Sequence, residues 1–149
     1  MIKKGKNMEK SLVLSVKLGT GCYRHIQLSD DETLFTLHKT IINAFDFDDD
    51  HMHAFFMSNR IWDDDEEYIC PGGDRAQGFT DKVRLSKFHL GKGDKFLYVF
   101  DFGDEWRFQI KVLNVTGEII DEPLVLKSVG KAYQYGPEDD DDDLEDDDD

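Results

Sequence analysis

Between Phe96 and Val112 the chain alternates large apolar residues with others. Phe96, Tyr98, Phe100 and Phe102 precede a short turn, and Trp106, Phe108, Ile110 and Val112 follow it. Successive side chains of a strand point to opposite faces, so the alternation predicts two strands with one apolar face each. Gly103, Asp104 and Glu105 supply the turn, which makes the pair a β-hairpin. A face this apolar is expected at the centre of a sheet. Asp101 stands out within it, a carboxylate between Phe100 and Phe102 and three residues before Asp104.

Other segments supply the partners. Leu12, Leu14, Val16 and Leu18 alternate as a strand, Gly19-Thr20-Gly21 can turn the chain, and Arg24, Ile26 and Leu28 share one face of the returning strand. Arg24 then puts a charge on an apolar stripe. Either its guanidinium reaches solvent from the strand end, or it is buried in an ion pair with Asp101 or Asp104. Leu34, Leu37, His38, Ile41, Ile42 and Phe45 follow the spacing of one helical face, with Thr33 as the N-cap. His38 lies on that stripe and reads as a core histidine with a backbone partner rather than a ligand. His53 to Ser58 reads as a strand, Val83 to Leu90 as a short strand or helix, and Leu124 to Leu126 as a last extended piece. The fold class expected is α+β: a mixed sheet with one main amphipathic helix and a β-grasp-like opening.

A chain of 149 residues fits one domain. The expected domain is 1–137, with residues 1–10 frayed and 138–149 a disordered acidic tail. Eighteen basic residues face 33 acidic ones, a net charge of −15, but eleven of those acids lie between Glu138 and Asp149 and the rest of the chain carries only −4. A basic footprint is missing apart from Lys3, Lys4, Lys6 and Lys10, so direct nucleic-acid binding is disfavoured and a basic protein partner is the better expectation. Cys22 and Cys70 have no C-x-x-C spacing, which argues against a zinc ribbon or a disulfide framework. Nothing in the sequence reads as a membrane span or a signal peptide, and the expected location is cytoplasmic.

Candidate chemistry is sparse. Asp101-Phe102-Gly103 spells a kinase metal-binding tripeptide, but no glycine-rich loop, strand lysine or His-Arg-Asp loop accompanies it. Asp63 to Glu67 is a run of five acids without the ligand spacing of an EF-hand and reads as a solvated loop. Neither cysteine has a nucleophile context, and there is no Gly-x-Ser-x-Gly elbow or phosphate loop. His51 and His53 are the better candidates. In an extended segment they would face one side, and with Asp101 and Asp104 they would make a His/carboxylate site for a divalent transition metal. The competing reading has the histidines bonded to loop carbonyls, while Asp101 and Asp104 tie the hairpin turn to Arg24 or Trp106. No other cofactor is expected.

The hairpin also carries a resemblance. Its Tyr-x-x-Asp-Phe-Gly-Asp-x-Trp pattern, Tyr98 to Trp106, resembles the signature of the Ri-plasmid (pRiA-four-b) open-reading-frame-three-like family, which includes insertion-element passenger proteins labelled TnpR. Arg24-His25-Ile26, the helix from Leu34 to Phe47, His51-Met52-His53-Ala54-Phe55 and Gly93-Asp94-Lys95-Phe96 are similar to further segments of that family. Arg24, Gly103 and Trp106 are the signature positions with a structural role. The resemblance covers about Leu12 to Pro137. A cysteine-containing segment that often ends family members is reduced here to Gly136-Pro137-Glu138-Asp139. The expected function is a non-catalytic interaction module, motivated by the acidic tail, and the resemblance implies an accessory link to mobile genetic elements. The alternative is a metal-dependent, hydrolase-like enzyme using His51, His53, Asp101 and Asp104.

Overall fold

The structure, a computed structural model, describes residues 9–74 and 76–135. The acidic tail and most of the N-terminal stretch expected to fray lie outside the described residues. Eight strands form one sheet: β1 (Ser11–Gly19), β2 (Cys22–Ser29), β3 (His53–Phe56), β4 (Glu67–Ile69), β5 (Gly78–Phe79), β6 (Lys95–Phe100), β7 (Trp106–Thr116) and β8 (Leu124–Val129). Their order is β5-β4-β3-β6-β7-β1-β2-β8. Neighbours are antiparallel except β4 and β5. With the one α-helix among the described residues, α1 (Leu34–Ala44), this is an α+β fold.

The β6–β7 hairpin lies in the middle of the order, as its two apolar runs predict. Phe96 pairs with Ile110, Tyr98 with Phe108 and Phe100 with Trp106. One alternating set of apolar positions, including Leu14, Ile26, Phe55, Tyr98 and Phe108, faces one side and shares a core with Leu34, Leu37, Ile41 and Ile42 of α1. Thr33 caps the helix, its hydroxyl accepting the Thr36 N–H at 3.1 Å. A smaller core of Ala54, Phe56, Ile69, Cys70 and Val99 covers part of the opposite face. Beyond it that face is partly covered: Ser11, Gln27 and Ser29 are buried, Ser15, Tyr23, His25 and Gln109 half-buried, and Lys17 and Lys111 exposed.

Two expectations change, and a third narrows to one of its alternatives. β3 ends at Phe56 rather than Ser58, because Asn59 turns the chain at φ 67° and its N–H bonds back to the Phe56 carbonyl. The segment from Val83 to Leu90 holds a 3₁₀ turn, Leu85–Phe88, that buries Leu85. Arg24 follows neither reading in full. It is buried, but its partners are carbonyl oxygens: Nε donates to Ala44 at 2.8 Å, and one terminal nitrogen donates to Tyr23 and Val129 at 2.9 Å each. Its guanidinium also lies 4.3 Å from the Phe45 ring centroid. Ala44 ends α1, where unpaired carbonyls and the helix dipole favour a cation, so no carboxylate is needed.

Candidate functional site

An open cleft of about 530 Å³ lies where the chain leaves α1 and enters β3. Phe35, His38, His53 and Cys70 line it, and Asp49, Asp50 and His51 complete its wall. Two histidines meet here because the fold forces them together. His38 is four residues from Leu34 on the buried stripe of α1, and His53 shares with Phe55 the face of β3 beneath the helix. Their rings stack at 3.6 Å between centroids and 11° between planes.

Three of the pair's four ring nitrogens are hydrogen-bonded to side chains. His38 Nδ1 lies 2.6 Å from the Tyr98 hydroxyl, and Nε2 lies 3.1 Å from Asp49 Oδ2. The network assigns the tautomer: Tyr98 O–H donates to Nδ1, and Nε2–H donates to the carboxylate. Burial, then the charge of Asp49, then Cys70 push the Tyr98 phenol well above its usual range, which keeps it a donor. Burial lowers the pKa of His38, outweighing the opposite pull of Asp49. His53 Nε2 pairs with the buried Thr80 hydroxyl at 2.9 Å. Burial first, then His38, pushes His53 down to about 2. Both rings are thus neutral near pH 7. The partners of His38 are side chains, not the backbone group that its position on the helix stripe suggested.

The structure brings together two of the four sequence-derived metal candidates. His51 Nε2 lies 3.5 Å from Asp101 Oδ2 and 3.5 Å from Asp50 Oδ1. His53 points inward to Thr80 instead. Asp104 meets Asp101 through its backbone: the Asp101 carboxylate accepts the N–H groups of Gly103 at 3.1 Å and Asp104 at 3.2 Å. Asp101 also holds a left-handed backbone, φ 66°, which Asp tolerates better than most residues, and its N–H bonds the Met52 carbonyl at 2.8 Å. It ties the hairpin turn to the cleft loop, without the help of Arg24 or Trp106. The indole N–H of Trp106 is buried and has no hydrogen-bond partner among the described residues, its ring edge-on to Phe47. Among the described residues, no three His, Cys, Asp or Glu side chains are disposed to hold a metal ion.

Sequence reasoning missed how the C-terminal segment closes this wall. Gln134 accepts the Asp48 N–H at 2.7 Å and donates to the Asp48 carbonyl at 3.0 Å, and Tyr135 donates to Asp50. That last bond lowers the Asp50 pKa and pushes the Tyr135 phenol up to about 12. No periodicity links positions 85 residues apart. The outcome is an acidic rim: Asp46, Asp48, Asp49 and Asp50 lie on one loop, with Asp101 alongside. Lys39, 3.3 Å from Asp49, is the cation set against them.

The fold and cleft define a class: an α+β domain with one helix laid on a largely antiparallel sheet, and a histidine-floored acidic groove at the helix end. The chain belongs to the plasmid pRiA4b ORF-3-like family, which matches residues 12–141. Among solved structures it is similar to a protein of unknown function, MM3350 from Methanosarcina mazei Go1. The TM-score is 0.65 at 24% identity, over 95% of this chain and 84% of that one, a likeness of fold. No curated protein matches it. No helix among the described residues is long and apolar enough to cross a membrane.

Proposed function

We propose that this chain is a non-catalytic interaction module that takes a basic peptide segment in the cleft. The observation that carries the reading is the cleft's composition, an apolar floor beneath a carboxylate rim. Phe35, Met52 and Pro71 suit the methylene stem of a lysine or arginine, and Asp49 and Asp50 suit its cationic head. Catalysis is less well supported, because the buried histidines commit three of their four ring nitrogens to Tyr98, Asp49 and Thr80. The family's resemblance to mobile-element passenger proteins fits an accessory role of this kind, in the cytoplasm.

A labelled peptide alternating lysine and alanine tests it. The full chain is expected to bind the peptide at low salt, and Asp49→Asn/Asp50→Asn to weaken binding at least about tenfold, the loss of one to two charge-assisted contacts. Unchanged binding by that variant, with binding lost on deleting residues 136–149, would transfer the role to the acidic tail. The metal-enzyme alternative rests on the approach of His51 to Asp101 and has its own readout. Stoichiometric metal in untagged protein that disappears in a folded His51→Ala/His53→Ala variant would overturn the non-catalytic reading.

A further inference from the structure

The face of the sheet opposite α1 carries a charge pattern that composition conceals. Strand register lines up one row across five strands: Lys95 of β6 opposite Lys111 of β7, Lys111 opposite Ser15 of β1, Ser15 opposite His25 of β2, and His25 opposite Lys127 of β8. At about 4.8 Å per strand spacing the row spans roughly 19 Å. One step along, Lys17 lies opposite Tyr23 and Gln109. All these residues alternate with core positions such as Leu14, Ile26, Phe96 and Ile110, so they share the face away from α1. The Lys127 ammonium, 5.7 Å from the Tyr23 ring centroid, lies on the same side.

Two features set this row apart from ordinary surface charge. Lys95 and Lys111 are directly opposite, an arrangement that destabilises a sheet. The cationic ends of Lys17, Lys95, Lys111 and Lys127 also form no ion pair among the described residues, in a chain with nearly two acids per base. The lysine and arginine pairs there belong to Lys39, Arg60, Arg84 and Arg107. Amid the lysines sit two half-buried aromatic rings, Tyr23 and His25, 5.2 Å apart. Among the described residues, carboxylates lie at the margins of the face: Glu9 on Ser29, Glu118 on Gln27, Glu105 on Arg107, Glu67 on β4, and Glu66 and Asp94 in the pocket that Lys95 lines.

We propose that this face binds single-stranded nucleic acid, with phosphates along the lysine row and a base stacked on Tyr23. A sheet face with accessible rings between cations is how single strands are commonly held, because every base has a face to stack and the backbone repeats its charge. An acidic protein segment would match the lysines but make no use of the rings. The surface is independent of the cleft, and its occupant has the opposite charge.

The test is fluorescence anisotropy of labelled twelve-residue oligothymidylate and oligouridylate with the full chain, from low salt upward. Saturable binding is expected. Lys95→Ala/Lys111→Ala should weaken it at least about tenfold and flatten the log–log salt slope by about 1.4, the counterions of two phosphate contacts. Tyr23→Ala should weaken it about fivefold or more, at an unchanged salt slope. Lys95 and Lys111 are exposed and like-charged, so the double-lysine variant should keep or raise its denaturation midpoint. No binding at low salt, or full binding by the double-lysine variant, overturns the proposal. So does indifference to Tyr23→Ala with equal competition from an oligoaspartate peptide, which would make an acidic protein segment the occupant.

Discussion

His53 meets the interior with its ring against His38 and its Nε2 on Thr80. Burial holds its pKa near 2, against 6.5 for a free histidine. Between those values the unfolded chain binds a proton that the folded chain refuses. Stability is therefore complete above pH 6.5 and is lost as the pH falls, at about 1.4 kcal/mol per pH unit. Burial lowers His38 too, so it acts in the same sense. Denaturant unfolding should show a loss of about 2 kcal/mol between pH 7 and pH 5, and His53→Gln should flatten that dependence; a flat profile in the native chain would contradict the neutral, buried ring. Asp101 allows a second test at this scale. Its carboxylate serves two backbone N–H groups at a left-handed position. Asp101→Ala should cost about 1–3 kcal/mol, whereas Asp101→Asn, which keeps an acceptor oxygen and tolerates that backbone, should cost less. Equal losses in the two variants would mean that the charge beside His51, not the turn, is what the residue supplies.

Arg24 works between elements. Its three hydrogen bonds join the last residue of α1, the backbone of β2 and the end of β8, an edge strand paired on one side alone. Arg24→Ala should destabilise the domain by roughly 2–4 kcal/mol, since it strands buried carbonyls and removes a cation from a helix end. Amide exchange should find the extra opening concentrated in β8 rather than in β6 and β7, and uniform loss of protection would argue against this local role. Period-two and helical patterns made the hairpin, β1, β2 and α1 readable in the sequence, because each buries one face continuously. The cleft was legible only in part. His38 stood on the helix stripe and His53 was singled out, but their stack depends on where α1 crosses β3, a long-range placement without a local signal. Asp49 was hidden in a run of aspartates, and the partners of Arg24 are backbone oxygens, which no side-chain pattern encodes.

Charge is segregated at the scale of the molecule. The cleft rim is acidic, the far face of the sheet is crossed by lysines, and after Tyr135, bonded to Asp50 at the rim, the sequence ends in eleven acids within twelve residues. A net charge of −15 alone suggested a chain that repels nucleic acid, yet strand register gathers basic residues as far apart in sequence as His25 and Lys127 into one row. Such a molecule should answer tail removal with opposite signs. Deleting residues 136–149 brings the net charge to −4, which weakens long-range attraction for a basic peptide and long-range repulsion of an oligonucleotide. Association rates, read by stopped-flow fluorescence at low salt, should therefore fall for the lysine–alanine peptide and rise for oligothymidylate. Both changes should shrink as the ionic strength approaches 0.15 M, where the Debye length is about 8 Å. Dissociation rates should move less than association rates for both ligands, since the contacting residues stay in place. If both rates of association shifted in the same direction, the two faces would not be reading opposite charges, and the assignment of separate basic and acidic partners would fall with that result.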